Sequence, residues 1–332
     1  MGQAHPNDGG GIVRRRLGWL WSLAILTEAF HGEARAAGRV RAQGAPFDLG
    51  GLVDVRVWDP ASDAQSTSCP TAWMDTPEAF GAAFEASLRR GVRSSAEEEA
   101  VVGRSALAGF TDNFGGALTN TGATAQYVAA VGRALLPSAS RAAASWSFYV
   151  WVGTDTVNAF ALPGGHVIVS EAMLETITSE AELALVLGHE IGHVELGHPM
   201  AVIETMRALG VSSDSVVGNA VAQIVRRPYR STAELAADVW GAKAIHAAGY
   251  SVVAANDLWV RQAGREAPAA TGLIGLFEAG VRAVVDTHPE STRRACELRR
   301  TATALQASDP LRIGYVGRSN YQQRKSMAEG VQ

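Results

Sequence analysis

Three side chains in one short segment could bind a metal ion and activate water. His189, Glu190 and His193 stand in the pattern His-Glu-x-x-His. In a helix, residues four positions apart lie one turn apart on the same face, so both imidazoles can bind one ion from the same side. Glu190 lies beside them and can take a proton from a water molecule at that ion. The alternative is a helix whose histidines and glutamate face solvent, and the surrounding sequence has to decide between the two.

The segment from Ser179 to His198 predicts the helix that this pattern needs. Ser179 and Glu182 have the spacing of a capping box, and residues that favour helix follow them. Apolar residues then recur at intervals of three and four, which gives the helix one continuous stripe to bury. The residues of this stripe are Leu183, Leu187, Ile191 and Val194.

A catalytic zinc ion takes three protein ligands, so a third ligand has to come from elsewhere in the chain. His198 is nearest in sequence, but five residues of unbroken helix turn it by about 140°, away from the metal face. Gly197 and His198 also miss by one residue the positions of the longer HExxHxxGxxH motif. Glu234 is the better candidate, because Asp238, one turn later, can accept a hydrogen bond from the far nitrogen of a ligand histidine. The alternative for Glu234 and Asp238 is a pair of exposed helix acids.

Around the metal-binding helix the sequence predicts a small sheet and several further helices. Residues 147–152, 157–162 and 166–169 are rich in β-branched and aromatic residues and are bounded by turn residues, so we expect strands there. We therefore expect an α+β fold, mostly helical, with the small sheet next to the HExxH helix. Helices are also expected at 76–88, from 95 onward, at 123–136, 170–177, 199–209 and 231–246 and around 293–298, with a strand at 52–58, a flexible segment at 210–218 and a poorly patterned polar segment after 308.

The first 36 residues have the features of a secretion signal. Arg14 to Arg16 form a basic start, residues 17–27 are apolar and uncharged, and Ala34-Arg35-Ala36 has the small-x-small pattern of a cleavage site. The apolar run is about half of what a membrane-spanning helix needs, so we expect no permanent anchor. A short amphipathic leader is the alternative. The sequence favours an exported protein.

The composition of the chain limits the kinds of partner and the covalent cross-links that we expect. The chain has 332 residues, is 47% hydrophobic and has a net charge of −4, so it can bury an ample core and offers no basic surface for nucleic acid. Its two cysteines, Cys69 and Cys296, could form one disulfide bond in an exported protein. Two unpaired thiols are equally compatible with the sequence.

Four segments in consistent order resemble those of a known enzyme family. They are the segments Asn158–Gly165 (NAFALPGG), HExxH, Glu234–Asp238 (ELAAD) and Thr287-His288-Pro289. This order resembles the zinc metallopeptidases of the HtpX/BepA type, the gluzincin family that also contains the CAAX prenyl-protein endoproteases. The likeness covers about Tyr127 to Arg294. The family usually has a larger aromatic residue where His166 stands.

The resemblance implies a set of ligands. One Zn²⁺ per chain would be held by His189, His193 and Glu234. Glu190 would act as the general base, and Asp238 would orient a ligand histidine.

The resemblance also implies roles for three residues outside the ligand set. Asn158 would contact the substrate main chain beside the edge strand. His288 would either stabilise the tetrahedral oxyanion or occupy the fourth zinc position and keep the enzyme latent; a helix-capping role before Pro289 is the alternative. Arg294 would either assist the oxyanion or pair with a carboxylate.

The function expected from these features is a zinc-dependent metalloendopeptidase for unfolded or misassembled proteins in the bacterial periplasm or cell envelope, with a secreted enzyme as a variant of the same expectation. No nucleic-acid partner and no integral membrane span are expected, while peripheral membrane association stays open. The rival functions are a protease-like chaperone or binding module with latent activity and a zinc hydrolase of small molecules.

The expected organisation is a signal peptide (1–36), a linker and N-terminal segment (37–75), a metallopeptidase domain (76–306, motif core 127–294) without a repeat domain, and a polar tail (307–332).

Overall fold

The computed structural model describes residues 55–56, 86, 89–141, 144–211, 213–226, 229, 231–266 and 291–328. The described residues all belong to one unit that spans residues 49–332. The predicted signal peptide, the predicted helix at 76–88 (apart from residue 86) and His288 lie outside the described residues. The domain boundaries expected from the sequence therefore stay a prediction.

A four-stranded mixed sheet lies beside the helices; three of its strands were predicted from the sequence, and the strand at Ala117–Thr119 was not. The strands are β2 (Ala117–Thr119), β3 (Ser147–Val152), β4 (Ala159–Leu162) and β5 (His166–Ser170). They lie in the order β2-β3-β5-β4 and are parallel only where β3 meets β5. Gly164 and Gly165 have φ of 77° and 89° and form the turn between the last two strands, where a side chain would be strained. The second of the three predicted strands begins two residues later than expected.

Helices make up most of the described structure, so the predicted α+β class is confirmed. The helix expected from residue 95 onward starts with a capping box formed by Ser95 and Glu98. The helices before the sheet's central strands are α1 (Ala96–Ala108), α2 (Phe110–Phe114) and α3 (Gly122–Leu135). The later helices are α4 (Glu171–Thr176), α5 (Glu180–Glu195), α6 (His198–Ala208), α7 (Ser213–Arg226), α8 (Ser231–Ala247), α9 (Val252–Ala255), α10 (Asp257–Glu266), α11 (Ser291–Ser308) and α12 (Arg318–Gln323).

Helix α5 carries the HExxH segment through the core, and every residue from Glu180 to Val194 is buried. Helix α8 packs closely against it where glycines face each other. A Cβ built on Gly188 would lie 3.2 Å from the Cα of Gly241, and one built on Gly241 would lie 2.9 Å from the carbonyl carbon of Gly188. Side chains at these positions would force the two backbones apart. The glycines therefore bring the first turns of α8 close to the histidines of α5.

The expectation of a flexible segment at 210–218 is wrong, because α7 begins inside it. Val216, Ala220, Val221 and Ile224 recur at helical spacing and are all buried. Their burial against strand β4 and helix α6 stabilises a helix that contains Gly218 and a polar start. Helices α9 and α10 were also not expected from the sequence.

The segment after Ser308, which is polar and poorly patterned in sequence, contains regular structure in its described residues. Strand β6 (Gly314–Tyr315) pairs antiparallel with strand β1 (Val55–Arg56), and α12 follows. The carbonyls of Val316 and Gly317 accept hydrogen bonds from the backbone amides of Ala181 and Glu180. The C-terminal segment thereby satisfies amides that a helix N-terminus cannot pair internally, and it covers the beginning of α5.

Two further findings bear on the sequence expectations. Among the described helices, none combines the length and the apolar character that crossing a bilayer requires. Cys296 on α11 is disulfide-bonded. Cys69, the other cysteine of the sequence, lies outside the described residues.

Candidate metal centre

The start of α5 is fixed by polar contacts at the predicted place. The Ser179 hydroxyl caps the helix by accepting a hydrogen bond from the Glu182 amide at 3.3 Å. The Glu182 carboxylate accepts from the Thr178 amide at 2.8 Å and pairs with the Arg261 guanidinium at 2.7 Å. The reciprocal bond of the predicted capping box therefore goes to Thr178, one residue before the cap. These contacts set where α5 begins and hence where its histidines lie.

The structure brings His189, His193 and Glu234 together. The two Nε2 atoms are 2.9 Å apart, and the Glu234 carboxylate oxygens lie 3.3 Å from Nε2 of His189 and 3.5 Å from Nε2 of His193. All three side chains are buried, and their ligand atoms lie within 4.8 Å of one another. Ligands about 2.0–2.1 Å from a tetrahedral zinc ion are about 3.3 Å apart. The spacing and the donor types therefore fit one such ion.

Asp238 lies one turn after Glu234 and holds His189 from the other side. Its Oδ1 is 2.9 Å from Nδ1 of His189. When the N–H of that nitrogen donates a hydrogen bond to the carboxylate, Nε2 carries no proton and its lone pair points to the ligand group. This contact is the one that the sequence predicted for Asp238.

Arg294 is fully buried on α11 and binds Asp238 through two hydrogen bonds. Its Nε donates to Oδ2 at 2.8 Å and its Nη2 to Oδ1 at 2.7 Å, and its Nη1 is 3.5 Å from Glu234. The guanidinium also lies 3.9 Å above the ring of Trp259. These contacts correspond to the carboxylate-pairing alternative for Arg294, while a part in stabilising an oxyanion stays a prediction.

Charge governs protonation on this side of the centre. Burial alone would raise the pKa of Asp238, but the Arg294 guanidinium and His189 together outweigh burial and lower it. Burial and Arg294 both lower the pKa of His189, and the carboxylates of Asp238 and Glu234 overcome them and raise it to about 9. Because a metal-binding imidazole has to be neutral, metal binding here competes with a proton on His189.

His198 corrects the sequence expectation about its direction. Helix α5 ends at Glu195, and Gly197, with φ of 75°, turns the chain before α6 begins at His198. The ring of His198 thus returns to His193, and the two Nδ1 atoms are 2.8 Å apart. Burial lowers the pKa of His198 to about 4, so the ring is neutral at pH 7 and its Nδ1 can accept the proton of His193. His198 lies behind the ligand histidine, outside the group of three.

Tyr229 is a residue of the centre that the sequence reading did not find. Its ring stacks on that of His193, with centroids 4.3 Å apart and planes 25° apart. Burial, followed by the carboxylates of Glu190 and Glu234, raises the pKa of Tyr229 well above its ordinary value. The only sequence signal was an aromatic residue shortly before the helix of the third ligand.

The remaining predicted residues have different placements. Glu190 is buried beside the two histidines on α5, as its position in the motif requires. Asn158 is buried just before β4. Its backbone N–H donates to the Ser170 hydroxyl at 3.0 Å, and its side-chain Nδ2 donates to the Val225 carbonyl at 3.4 Å. Its contact with substrate stays a prediction. His288 lies outside the described residues, so both of its expected roles also stay predictions.

Strand β4 is at the edge of the sheet, as the resemblance implies, and all four of its residues are buried. His166 begins the neighbouring strand β5. Its Nδ1 is 2.6 Å from the Ser147 hydroxyl, across the parallel pair of β3 and β5. His166 therefore links two strands in the position where the family usually has a larger aromatic residue.

Comparison with known proteins agrees with this geometry. The model of peptidase family M48 matches residues 122–302, more than half of the 332-residue chain. The matched range includes all three residues of the ligand group together with Asp238 and Arg294.

Similar curated proteins are proteases, matched over part of their length. The chain is 31% identical over 118 residues to the beta-barrel assembly-enhancing protease of Yersinia pestis, covering 36% of this chain and 24% of that protein. It is 29% identical over 158 residues to the metalloprotease YcaL of Escherichia coli, covering 44% and 58%. It is 30% identical over 181 residues to the mitochondrial metalloendopeptidase OMA1 of Schizosaccharomyces pombe, covering 52% and 51%. The chain thus spans less than two thirds of each of these relatives.

Proposed function

The chain belongs to peptidase family M48, and from this premise we propose that it is a zinc-dependent endopeptidase that hydrolyses peptide bonds in proteins. The observation that carries the proposal is the convergence of two imidazoles and one carboxylate, with 2.9, 3.3 and 3.5 Å between their donor atoms, in a buried position next to Glu190. Two imidazoles with one carboxylate are the protein ligands of known catalytic zinc sites that keep a fourth position for water or substrate.

Zinc at this position would supply Lewis acidity, which makes a water molecule more acidic and polarises the carbonyl of the scissile bond. The chain's own residues carry the protons. Glu190 accepts a proton from the attacking water and delivers it to the departing amine, a role worth about a hundred- to ten-thousandfold in rate. Asp238 and His198 each keep one ligand histidine in the tautomer whose Nε2 can bind the ion.

The substrates we propose are unfolded or misassembled proteins of the bacterial cell envelope. Support for an envelope role comes from the signal-like first 36 residues of the sequence and from the similarity to a beta-barrel assembly-enhancing protease. Export to the periplasm belongs to the same proposal. An assay on unfolded protein is therefore the relevant test of activity.

The test compares wild type with Glu190→Gln on casein, a protein that lacks a stable fold. Glu190→Gln is expected to keep zinc and to lose about a hundredfold or more of the cleavage rate, because the amide cannot accept the proton. Glu171→Gln, the same change at an exposed residue of α4, is the matched control and should cleave like wild type. Zinc per chain is measured in all three proteins.

A zinc chelator should stop cleavage by wild type, and added zinc should restore it. Undiminished cleavage by Glu190→Gln would exclude Glu190 as the base. If zinc-loaded wild type binds casein without cleaving it, the protein is a binding module, and the endopeptidase proposal fails.

A further inference from the structure

The ring of Tyr229 covers one face of the ligand histidine His193. The two ring centroids are 4.3 Å apart, and the ring planes are inclined by 25°. Tyr229 lies two residues before α8 begins at Ser231, and Glu234 is in the first turn of that helix. The segment that brings Glu234 to the centre therefore also brings this aromatic ring.

The two ligand histidines are supported differently. At His189, Nδ1 lies 2.9 Å from a carboxylate oxygen of Asp238. At His193, Nδ1 lies 2.8 Å from Nδ1 of another imidazole, that of His198. The edge of the His193 ring is thus held by His198 and its face by Tyr229. Two aromatic rings therefore support His193 where a carboxylate supports His189.

A ring on the face of a ligand histidine affects metal binding through its charge distribution. An imidazole that binds a divalent cation loses electron density to the ion and becomes electron-poor. The face of a phenol ring is the negative part of its quadrupole and attracts positive charge within about 6 Å of the centroid. This attraction is larger where water is excluded, and His193 is 0% exposed. The stack is therefore stronger with metal bound than without it, and so it raises the affinity for metal.

The hydroxyl of Tyr229 can be removed without breaking a described hydrogen bond. It is buried, and among the residues that the structure describes none is its hydrogen-bond partner. Phenylalanine at this position keeps the ring and loses only the hydroxyl. Tyr229→Phe is therefore the starting point from which the contribution of the ring can be measured.

We propose that Tyr229 is a positioning residue that strengthens zinc binding through the π face of its ring. Its stack on His193 fixes the plane of that imidazole, whose Nε2 lies 2.9 Å from Nε2 of His189 and 3.5 Å from the Glu234 carboxylate. The proposal rests on the proposed function only through the zinc ion and does not depend on peptide cleavage. Tyr229→Leu, which removes the ring, should lower the zinc affinity about two- to thirtyfold.

The test changes the electron density of the ring and keeps nearly the same shape. Phenylalanine and its monofluoro, difluoro and pentafluoro derivatives are placed at position 229, and zinc affinity is measured at one pH by competition with a chromophoric chelator. Fluorine withdraws electron density from the π face, so the affinity should fall stepwise along the series, by about two- to tenfold in all. Tyr229→Phe should stay within about twofold of wild type, because the ring is kept.

The same four residues at Tyr149, a half-buried tyrosine in β3, are the matched control and should all give the same zinc affinity. The melting temperature of each metal-free protein shows that the protein folds. The increase in melting temperature on adding zinc is a second readout, and it should shrink along the series at position 229. A zinc affinity that is constant along this series, or that rises with fluorination, would overturn the proposal, even if Tyr229→Leu binds zinc weakly.

These measurements need no substrate, so they separate the role of Tyr229 from the endopeptidase function. If the affinity falls along the series and zinc-loaded wild type cleaves no casein, the role of Tyr229 stands and the endopeptidase function fails. If wild type cleaves casein and the affinity is constant along the series, the role of Tyr229 fails and the endopeptidase function stands. Failure of wild type to bind zinc would overturn both.

Discussion

The two ends of α5 each bury a carboxylate, and they satisfy it in different ways. At the start of the helix, Glu180 is fully buried and accepts hydrogen bonds from the hydroxyls of Tyr250 at 2.8 Å and Tyr127 at 3.1 Å and from the Met327 amide at 2.9 Å. These donors are neutral. Burial raises the pKa of Glu180, although the hydrogen bonds oppose the increase.

Towards the other end, the buried groups are matched by charge. Asp238 is bound by the Arg294 guanidinium, which holds its pKa below the ordinary value despite burial. Glu234 lies 3.3 Å and 3.5 Å from two histidine nitrogens. At the first end, donors from the chain itself satisfy the carboxyl group of Glu180, and the Met327 amide joins the C-terminal segment to α5. The second end gathers donors that fit a cation, which is what a metal site requires.

The largest effect is expected from Asp238→Ala at the metal end. It leaves the Arg294 guanidinium buried without its bidentate partner, which should cost about 3–5 kcal/mol in the free energy of unfolding. It also removes the group that orients His189, so zinc affinity should fall about 10- to 100-fold. Urea unfolding and zinc titration against a chromophoric chelator measure both quantities.

Asp155→Ala, at an exposed loop position, is the control for Asp238→Ala. Asp238→Asn keeps the shape of the side chain and allows the affinity to be measured if the alanine variant does not fold. Unchanged zinc affinity in both Asp238 variants would show that the carboxylate has no part in orienting the ligand.

A smaller effect, of a different kind, is expected from Tyr250→Phe at the start of α5. Loss of one of the hydrogen bonds of the buried Glu180 carboxyl group should lower the free energy of unfolding by about 1–3 kcal/mol. Zinc per chain should stay as in wild type, because the metal end is untouched. Tyr149→Phe, at a half-buried position in β3, is the control. Loss of zinc in the Tyr250 variant would mean that the two ends are not separate.

The smallest effect is the contribution of Glu180 to the pH dependence of stability. Because the pKa of Glu180 is raised in the folded protein, its contribution is fully present below the unfolded value of about 4.5 and is lost as the pH rises through the folded value. The melting temperature of wild type should therefore fall more steeply above about pH 4.5 than that of Glu180→Gln. Parallel profiles of the two proteins would contradict the raised pKa.

The comparison also explains which parts of the molecule could be predicted from the sequence. Helix α5 was predicted because its cap, its apolar stripe and its HExxH residues are all local features, and α8 was predicted from the segment that carries Glu234 and Asp238. The hydrogen-bond network of Glu180 was missed because its donors, Tyr127, Tyr250 and Met327, come from three segments that are distant in sequence. Its existence depends on tertiary packing, which no short pattern records.

Two errors near the metal end have equally physical causes. His198 was predicted to point away from the metal face because α5 was assumed to continue through it. Instead, Gly197, in the left-handed conformation, follows the end of α5 and turns the chain. Helix α7 was missed because Gly218 and the polar residues before it read as loop, although its apolar face is buried against β4 and α6.

The central claim is that His189, His193 and Glu234 hold one zinc ion, and metal content tests it most directly. Wild type, Glu234→Ala and the exposed control Glu171→Ala are purified in parallel, dialysed with limiting zinc and measured by atomic emission. We predict one zinc per chain in wild type and in Glu171→Ala and a clear loss in Glu234→Ala. One zinc per chain in Glu234→Ala, bound as tightly as in wild type, would contradict the claim and place the third ligand elsewhere.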